Sequence, residues 1–299
     1  MTYRAILGRE TTFAQLGSGG LVPGHLPGQM RRMRSTMYAS FDATLETALA
    51  WHEAGKGAVL ATVVETWGSA PRPVGSALAM SGSGEMAGSV SGGCVEGAVV
   101  AEAAGALETG QPKMLEFGVA DDDAFAVGLA CGGTIRILLE PVGAAFPAGM
   151  LAGIVAAQQA RRPVAYVVDT TTFDRRLAGP DEFPERFRAD RSGIEEGGSI
   201  FVAVHNPPLR LAVVGAVHIA QPLVAMARLA GYDVTVIDPR DAFASEMRFP
   251  GETLVHDWPD DALAALAVDA RTAVVTLTHD PKLDDPALLT ALGSQAFYV

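Results

Sequence analysis

The chain has 299 residues, with 22 basic against 34 acidic and a formal net charge of −12 at pH 7. That length allows two domains with separate cores, and the negative balance argues against a nucleic-acid-binding surface and against attraction to an anionic membrane. No apolar run reaches the roughly 18 residues needed to cross a bilayer, residues 1–38 lack the apolar stretch of a secretory signal, and two cysteines without CxxC spacing exclude a disulfide framework and argue against a self-contained zinc site, so the reading is cytoplasmic.

Residues 1–37 are rich in Gly, Arg and Met without apolar periodicity, and are expected to be a disordered extension or a mis-assigned start before Met37. Ser40 is placed to cap a helix with Phe41, Leu45, Ala48 and Leu49 on its apolar face, ended by Gly55, and Val59 to Val64 reads as a buried strand. Gly68 to Gly75 is a loop, and Ser81-Gly-Ser-Gly84 joins strands 76–80 and 86–90 as a hairpin. A helix over 94–109 closed by Gly110, a strand near 114–117, the acidic turn Asp121-Asp-Asp123 and a strand over 134–140 complete an α/β first domain. A helix over 148–161 and a strand over 163–168 follow, and the polar, arginine-rich stretch 169–198 reads as a long loop or hairpin outside the core. His205-Asn-Pro-Pro208 is the linker, because two prolines end a strand and stiffen a join. Beyond it, strand 209–214, helix 218–229, strand 234–238, strand 273–278, a helix capped by Asp285 and a last strand at Tyr298-Val299 give the alternation of a Rossmann-like, doubly wound parallel sheet. The fold class is therefore α/β, with a mixed α/β N-terminal domain over 38–205 and a Rossmann-like domain over 209–299.

Cys94 and Cys131 are the two cysteines, and each adjoins a Gly-Gly pair: Gly92-Gly93 before Cys94, Gly132-Gly133 after Cys131. Glycines let a backbone approach a ligand. A helix starting at Cys94 would place that thiol against unpaired N–H groups that favour a thiolate or receive an anion, while Glu96, which opposes this electrostatically, offers a base. The alternative is two small buried apolar residues. Ser69, Arg72, Ser89 and Ser91, in or near the same glycine-rich loops, offer hydroxyl and guanidinium donors for a phosphate-bearing ligand. In the second half, Gly215-Ala-Val-His-Ile-Ala220 stands where a dinucleotide fingerprint belongs, with Val217 at the glycine that lets the backbone approach pyrophosphate. Asp238 is placed for ribose hydroxyls, His218 for a ligand or a helix cap, and His279 with Asp280 for a proton shuttle, a metal or a helix start. A Ser-His-Asp hydrolase is disfavoured, since no G-x-S-x-G occurs and no histidine lies between His52 and His205.

Glu65-Thr-Trp-Gly-Ser-Ala-Pro-Arg-Pro-Val-Gly75, GSVSGGCVEG from Gly88, GLACGGTIRILLEP from Gly128 and the blocks at 212–220, 236–240 and 278–287 together resemble the XdhC/CoxI family of molybdoenzyme maturation factors, from about Phe41 to Val299. The resemblance implies a carrier rather than an enzyme, one that binds molybdenum cofactor (molybdopterin), supports its sulfuration by a cysteine desulfurase and delivers it to a molybdenum hydroxylase apoenzyme, with a second copy of the chain as a further candidate partner. Cys94 and Cys131 would then be molybdenum ligands or carry a transferable sulfur, beside Ser69, Arg72, Ser89, Ser91, Gly92, Gly93, Glu96, Gly132 and Gly133. Two departures stand out. Val217 replaces the family's usual glycine, which argues against NAD(P), and the family's Rossmann domain continues past the point where this chain stops. The alternatives are an NAD(P)-dependent oxidoreductase using the Rossmann domain and a non-catalytic adaptor for the target enzyme.

Overall fold

In the computed structural model, residues 43–68, 70–118 and 133–299 are described. The chain order is α1 (Thr44–Glu53), β1 (Ala58–Trp67), β2 (Ala77–Ser81), β3 (Met86–Gly88), α2 (Glu96–Thr109), β4 (Lys113–Phe117), β5 (Thr134–Pro141), α3 (Ala148–Gln159), β6 (Val164–Asp169), β7 (Arg175–Ala178), α4 (Pro184–Ala189), β8 (Gly193–Ile194) and β9 (Ile200–His205). After the prolines come β10 (Arg210–Val214), α5 (Ala220–Leu229), β11 (Asp233–Ile237), β12 (Thr253–Val255), α6 (Pro259–Leu266), β13 (Thr272–Thr276) and α7 (Pro281–Leu292). The extension expected over 1–37, the cap at Ser40 and the acidic turn at Asp121–Asp123 lie outside the described residues.

The first sheet has the order β3-β2-β1-β5-β4 and is antiparallel throughout. Strand alternation sorts its apolar residues onto two faces. Val59, Ala61, Val63, Ile135, Ile137 and Leu139 pack on Val99 and Ala103 of α2. Leu60, Val64 and Leu138 pack with α1, with Leu151 and Ile154 of α3, and with Tyr166, Val168 and Phe201 of the neighbouring sheet. A bulge between Val63 and Glu65 adds one residue to β1, so beyond it the alternation inverts and Trp67, paired with Thr134, lands on the face away from α2. The inverted end stays at the surface, and Trp67 is 75% exposed.

The stretch 169–198, expected to be loop, instead supplies β7, α4 and β8 and completes a second antiparallel sheet in the order β7-β6-β9-β8. Ala178 and Phe187 from this polar stretch bury against Ala165, Val167 and Val202. Apart from Arg175, its arginines sit at or near the surface, several in ion pairs such as Arg186–Glu195 and Arg188–Glu185, so a charged sequence here encodes the outside of a sheet and not an open loop. The two sheets are tied by a buried polar group: Glu140 of β5, 0% exposed, accepts from Tyr166 Oη at 2.7 Å and from Arg175 Nε at 2.7 Å. Burial raises the Glu140 carboxyl above its ordinary range, against the lowering effect of Tyr166 and Arg175.

The third sheet is parallel in the order β12-β11-β10-β13. Helix α5 covers one face through Ala220, Val224 and Ala227, and α6 and α7 cover the other through Ala262, Leu263, Ala287 and Ala291. Helices on both faces of a parallel sheet make the doubly wound, Rossmann-like arrangement. Strand β12 and helix α6 are additions to the expected elements: a three-residue strand has too few positions to display alternation, and α6 starts with Pro259-Asp-Asp rather than a side-chain cap. At the chain's last residues a single parallel bridge joins Tyr298 to Ala273. Among the described residues no helix is long and apolar enough to cross a membrane.

Candidate functional site

Strand β1 runs toward the end of the first sheet at which β3 finishes and β5 begins, so the loops 68–76 and 89–95 leave from the same end. Gly88 (φ +85°) starts the second loop, and a side chain there would meet Ala77 O at 2.4 Å and Thr44 Oγ1 at 2.5 Å. The two loops touch: Arg72 Nε donates to Ser89 O at 3.3 Å, and a Cβ on Gly92 would sit 3.8 Å from Pro71. Arg72 is half-buried, and its remaining guanidinium N–H groups have no partner among the described residues.

Loop 89–95 is organised around the Glu96 carboxylate. It accepts five hydrogen bonds: Ser89 Oγ at 2.7 Å, Val90 N at 3.3 Å, Ser91 N at 2.9 Å, Gly93 N at 2.8 Å and a short one from Ser91 Oγ. Burial opposes the charge, but the Ser91 and Ser89 hydroxyls and the Ser91 N–H outweigh it and hold the carboxyl at about 2. Three expectations change. Glu96 is a fixed anion rather than a base. The Ser89 and Ser91 hydroxyls donate to it rather than into a pocket. Helix α2 starts at Glu96 with Val95 as its cap residue, so Cys94 precedes the helix. The cause is local: Ser91 Oγ takes the Val95 N–H at 2.9 Å, and Glu96 already occupies the N–H groups an outside anion would use. Cys94 is partly exposed and packs on the α2 side of the core. A glutamate at the first helical position after a Ser/Gly loop is the signal available in the sequence, since its carboxylate can collect the loop's unpaired N–H groups.

Gly133 is buried at the start of β5, where Gly118 approaches Thr134 so closely that a Cβ would sit 3.1 Å from its Oγ1. Ser69, Cys131 and Gly132 lie outside the described residues. Among the described residues no three His, Cys, Asp or Glu side chains gather as a metal site.

In the parallel-sheet half, the expected nucleotide positions are turned inward. Gly215 (φ +103°) is needed because Thr278 lies against it, 2.6 Å from where a Cβ would stand. Asp238, 1% exposed, accepts Ala216 N at 2.8 Å and Arg240 N, Nε and Nη2 at 3.0, 2.8 and 2.8 Å. Burial opposes its charge, yet the Arg240 hydrogen bonds prevail and hold its carboxyl below the usual range. Both oxygens are thus committed, and the expected reach to ribose hydroxyls is corrected. Arg240 also lies 3.9 Å over the Phe243 ring, and Arg248 Nη1 holds Ala216 O at 2.6 Å. His218 is exposed and caps nothing; Ile219 is the cap residue of α5.

Asp280, not Asp285, caps α7, accepting Lys282 N at 3.0 Å, and Pro286 falls inside the helix. The sequence contains two Asp-Pro starts, and the earlier one prevails because Asp284 reaches back to Thr278 Oγ1 at 2.6 Å and to His279 N at 2.8 Å. This brace holds His279 at φ +58°, a left-handed conformation unusual for a residue with a side chain. His279 is exposed beside the cap and does not combine with Asp280 into a shuttle or metal site.

The profile of the XdhC and CoxI family matches residues 51–118, and that of the XdhC Rossmann domain matches residues 211–299. The chain is 30% identical over 247 residues to the molybdenum cofactor insertion chaperone PaoD of Escherichia coli strain K12, covering 82% of this chain and 66% of that protein. It is 22% identical over 271 residues to a probable xanthine dehydrogenase subunit of Bacillus subtilis strain 168, covering 81% of this chain and 78% of that one. Against the uncharacterized protein YqeB of Escherichia coli strain K12 it is 24% identical and spans 25% of that protein's length. A crystal structure described as a xanthine dehydrogenase from Bacillus halodurans shares the fold, with a TM-score of 0.69 at 23% identity over 85% of this chain and 80% of that one. Motifs, sheets and similarities agree, and the chain belongs to the XdhC and CoxI family.

Proposed function

We propose that this protein is a molybdenum cofactor insertion chaperone: it holds the cofactor in an N-terminal domain spanning 38–205, supports its sulfuration by a cysteine desulfurase, and passes it to a molybdenum hydroxylase apoenzyme, alone or as a homodimer, while residues 209–299 form a Rossmann-like domain. The observation that carries this reading is the similarity to PaoD over 82% of the chain, which includes the Gly88–Glu96 loop.

The chemistry of that loop fits a cofactor with a soft metal centre and an anionic tail. Cys94 offers a partly exposed sulfur, and Arg72, bonded to Ser89 O of the same loop, offers guanidinium N–H groups that have no partner among the described residues. Glu96 fills the N–H nest, so the anionic tail falls to Arg72 rather than to the start of α2. A carrier must release what it holds, and a few contacts from loops suit that better than an enclosed trap. The NAD(P)-dependent oxidoreductase reading is disfavoured, because Val217 stands where a glycine would let pyrophosphate approach and Asp238 is taken by Arg240.

The test is to purify the protein from cells that make the cofactor and measure bound molybdenum and pterin. Near-stoichiometric pterin in the wild type, lost in Arg72→Ala and Cys94→Ala, supports the reading. Absence of pterin and molybdenum from the wild type, or full occupancy in both variants, overturns the function or the site respectively.

A further inference from the structure

We infer that the two halves of the chain are separate lobes held by a reciprocal arginine clasp across the Pro207-Pro208 linker, and that the clasp is an ionic latch on the cleft between them. Among the described residues every buried apolar cluster lies wholly on one side of the linker: three within residues 45–204 and two within 211–296. Among the described residues no helix or strand before the linker packs extensively on one after it.

What joins the lobes is polar. Arg161, just past the end of α3, crosses to Asp269 of the second lobe, with Nε at 3.2 Å and Nη2 at 3.1 Å from Oδ2, and its Nη1 donates to Pro208 O at 3.1 Å. Arg271 crosses the other way, with Nη2 at 2.9 Å from Asp190 Oδ2 and Nε at 2.6 Å from Pro207 O. Asn206 Nδ2 completes the clasp by donating to Asp190 Oδ1 at 2.7 Å and Phe187 O at 3.0 Å. Each lobe lends an arginine to the other's aspartate, and each arginine also grips a carbonyl of the proline pair, whose nitrogens cannot donate. The geometry is built into the backbone: Arg161 and Asp190 both adopt φ +52°.

A cavity of about 360 Å³ adjoins the clasp. Its walls include Leu45 and Ala77 of the first lobe and Gly231 of the second, with Asp190 and Arg271 among them. The Ala77 wall is continuous with the candidate loop, since Ser89 N donates to Ala77 O at 2.9 Å. Opening the clasp therefore widens a cleft one wall of which, Ala77, holds the base of the Cys94 loop through Ser89. Lobes joined by polar contacts move unless something holds them, and partly exposed ion pairs weaken as salt shortens the screening distance from about 10 Å at 0.1 M to about 3 Å at 1 M. The inference does not depend on what the protein carries.

The test combines scanning calorimetry and small-angle X-ray scattering on the full chain in 0.05 M and 1 M salt. Wild type in low salt should give one transition and the most compact profile. The double variant Arg161→Met with Arg271→Met should split the transition, with one component lowered by about 4–8 °C, and should raise the maximum dimension independently of salt. Wild type in 1 M salt should move toward the variant. Should the double variant fail to fold by circular dichroism, the single variant Asp190→Asn and the wild-type salt series decide, with the same direction of change expected in smaller measure. One unsplit transition and superimposable scattering across variants and salts overturns the latch.

Discussion

Replacing Glu140 by alanine tests the buried join between the first two sheets. The substitution removes the acceptor of Tyr166 Oη and Arg175 Nε, leaving a guanidinium whose side chain is only 13% exposed without its counter-ion. Arg175 keeps one bond, from Nη1 to Phe173 O at 2.5 Å, while its Nη2 and the Glu140 Oε2 are buried without partners already. An orphaned buried charge costs about 3–5 kcal/mol, and the Tyr166 hydroxyl adds about 1 kcal/mol or more. Part of this is recovered by rearrangement of the flexible Arg175, so the net loss expected is about 4 kcal/mol. In thermal unfolding that corresponds to about 8–16 °C for a lobe of this size. Glu140→Gln, which keeps an acceptor oxygen, should lose less than half as much. The triple variant Glu140→Met, Arg175→Met, Tyr166→Phe should recover most of the loss, because replacing a whole buried polar group by apolar side chains is often neutral. A Glu140→Ala protein melting within about 2 °C of wild type, or a triple variant as unstable as the single one, would refute the argument.

Glu96 should be a pH-dependent organiser. Its folded value of about 2 lies below the unfolded value of about 4.5, so its contribution is complete above the unfolded value and is lost as pH falls from about 5 through 2; in a Cys131→Ser background, labelling of Cys94 by dithiodipyridine should accelerate over that window in wild type and already be fast at neutral pH in Glu96→Ala, and a flat, identical response in both would contradict it. Gly215→Ala should destabilise the parallel-sheet lobe by a few degrees or more, since its Cβ would stand 2.6 Å from Thr278 Cγ2 and 3.1 Å from Thr278 N at φ +103°; unchanged melting would show that the turn yields easily. Calorimetric titration with NAD or NADP should detect no tight binding, and tight binding abolished by Asp238→Ala would mean that Arg240 releases the carboxylate to ribose.

Apolar strands such as Ala58–Trp67 and Arg210–Val214 are legible because buried strands read as apolar runs, and the linker is legible because Pro207-Pro208 permits little else. Stretch 169–198 reads as loop because its arginines mask short strands that contribute only alternate residues to a core. The two Asp-Pro pairs at 280–281 and 285–286 look equivalent locally, and only the brace from Asp284 to Thr278 and His279 distinguishes them. At the candidate site, composition points to the loop, but hydrogen-bond direction is not a property of composition: Ser89, Ser91 and Asp238 carry the groups a ligand would want and direct them at Glu96, Ala216 and Arg240.

The chaperone account is tested most directly by adding the cofactor-loaded protein to a molybdenum hydroxylase apoenzyme and following activation against the amount added. The account predicts activation proportional to loaded protein, ending when the bound pterin is exhausted, and reduced when Arg72→Ala or Cys94→Ala supplies it. Multiple-turnover conversion of a small molecule by the isolated protein, with no apoenzyme present and no activation when one is supplied, would contradict it.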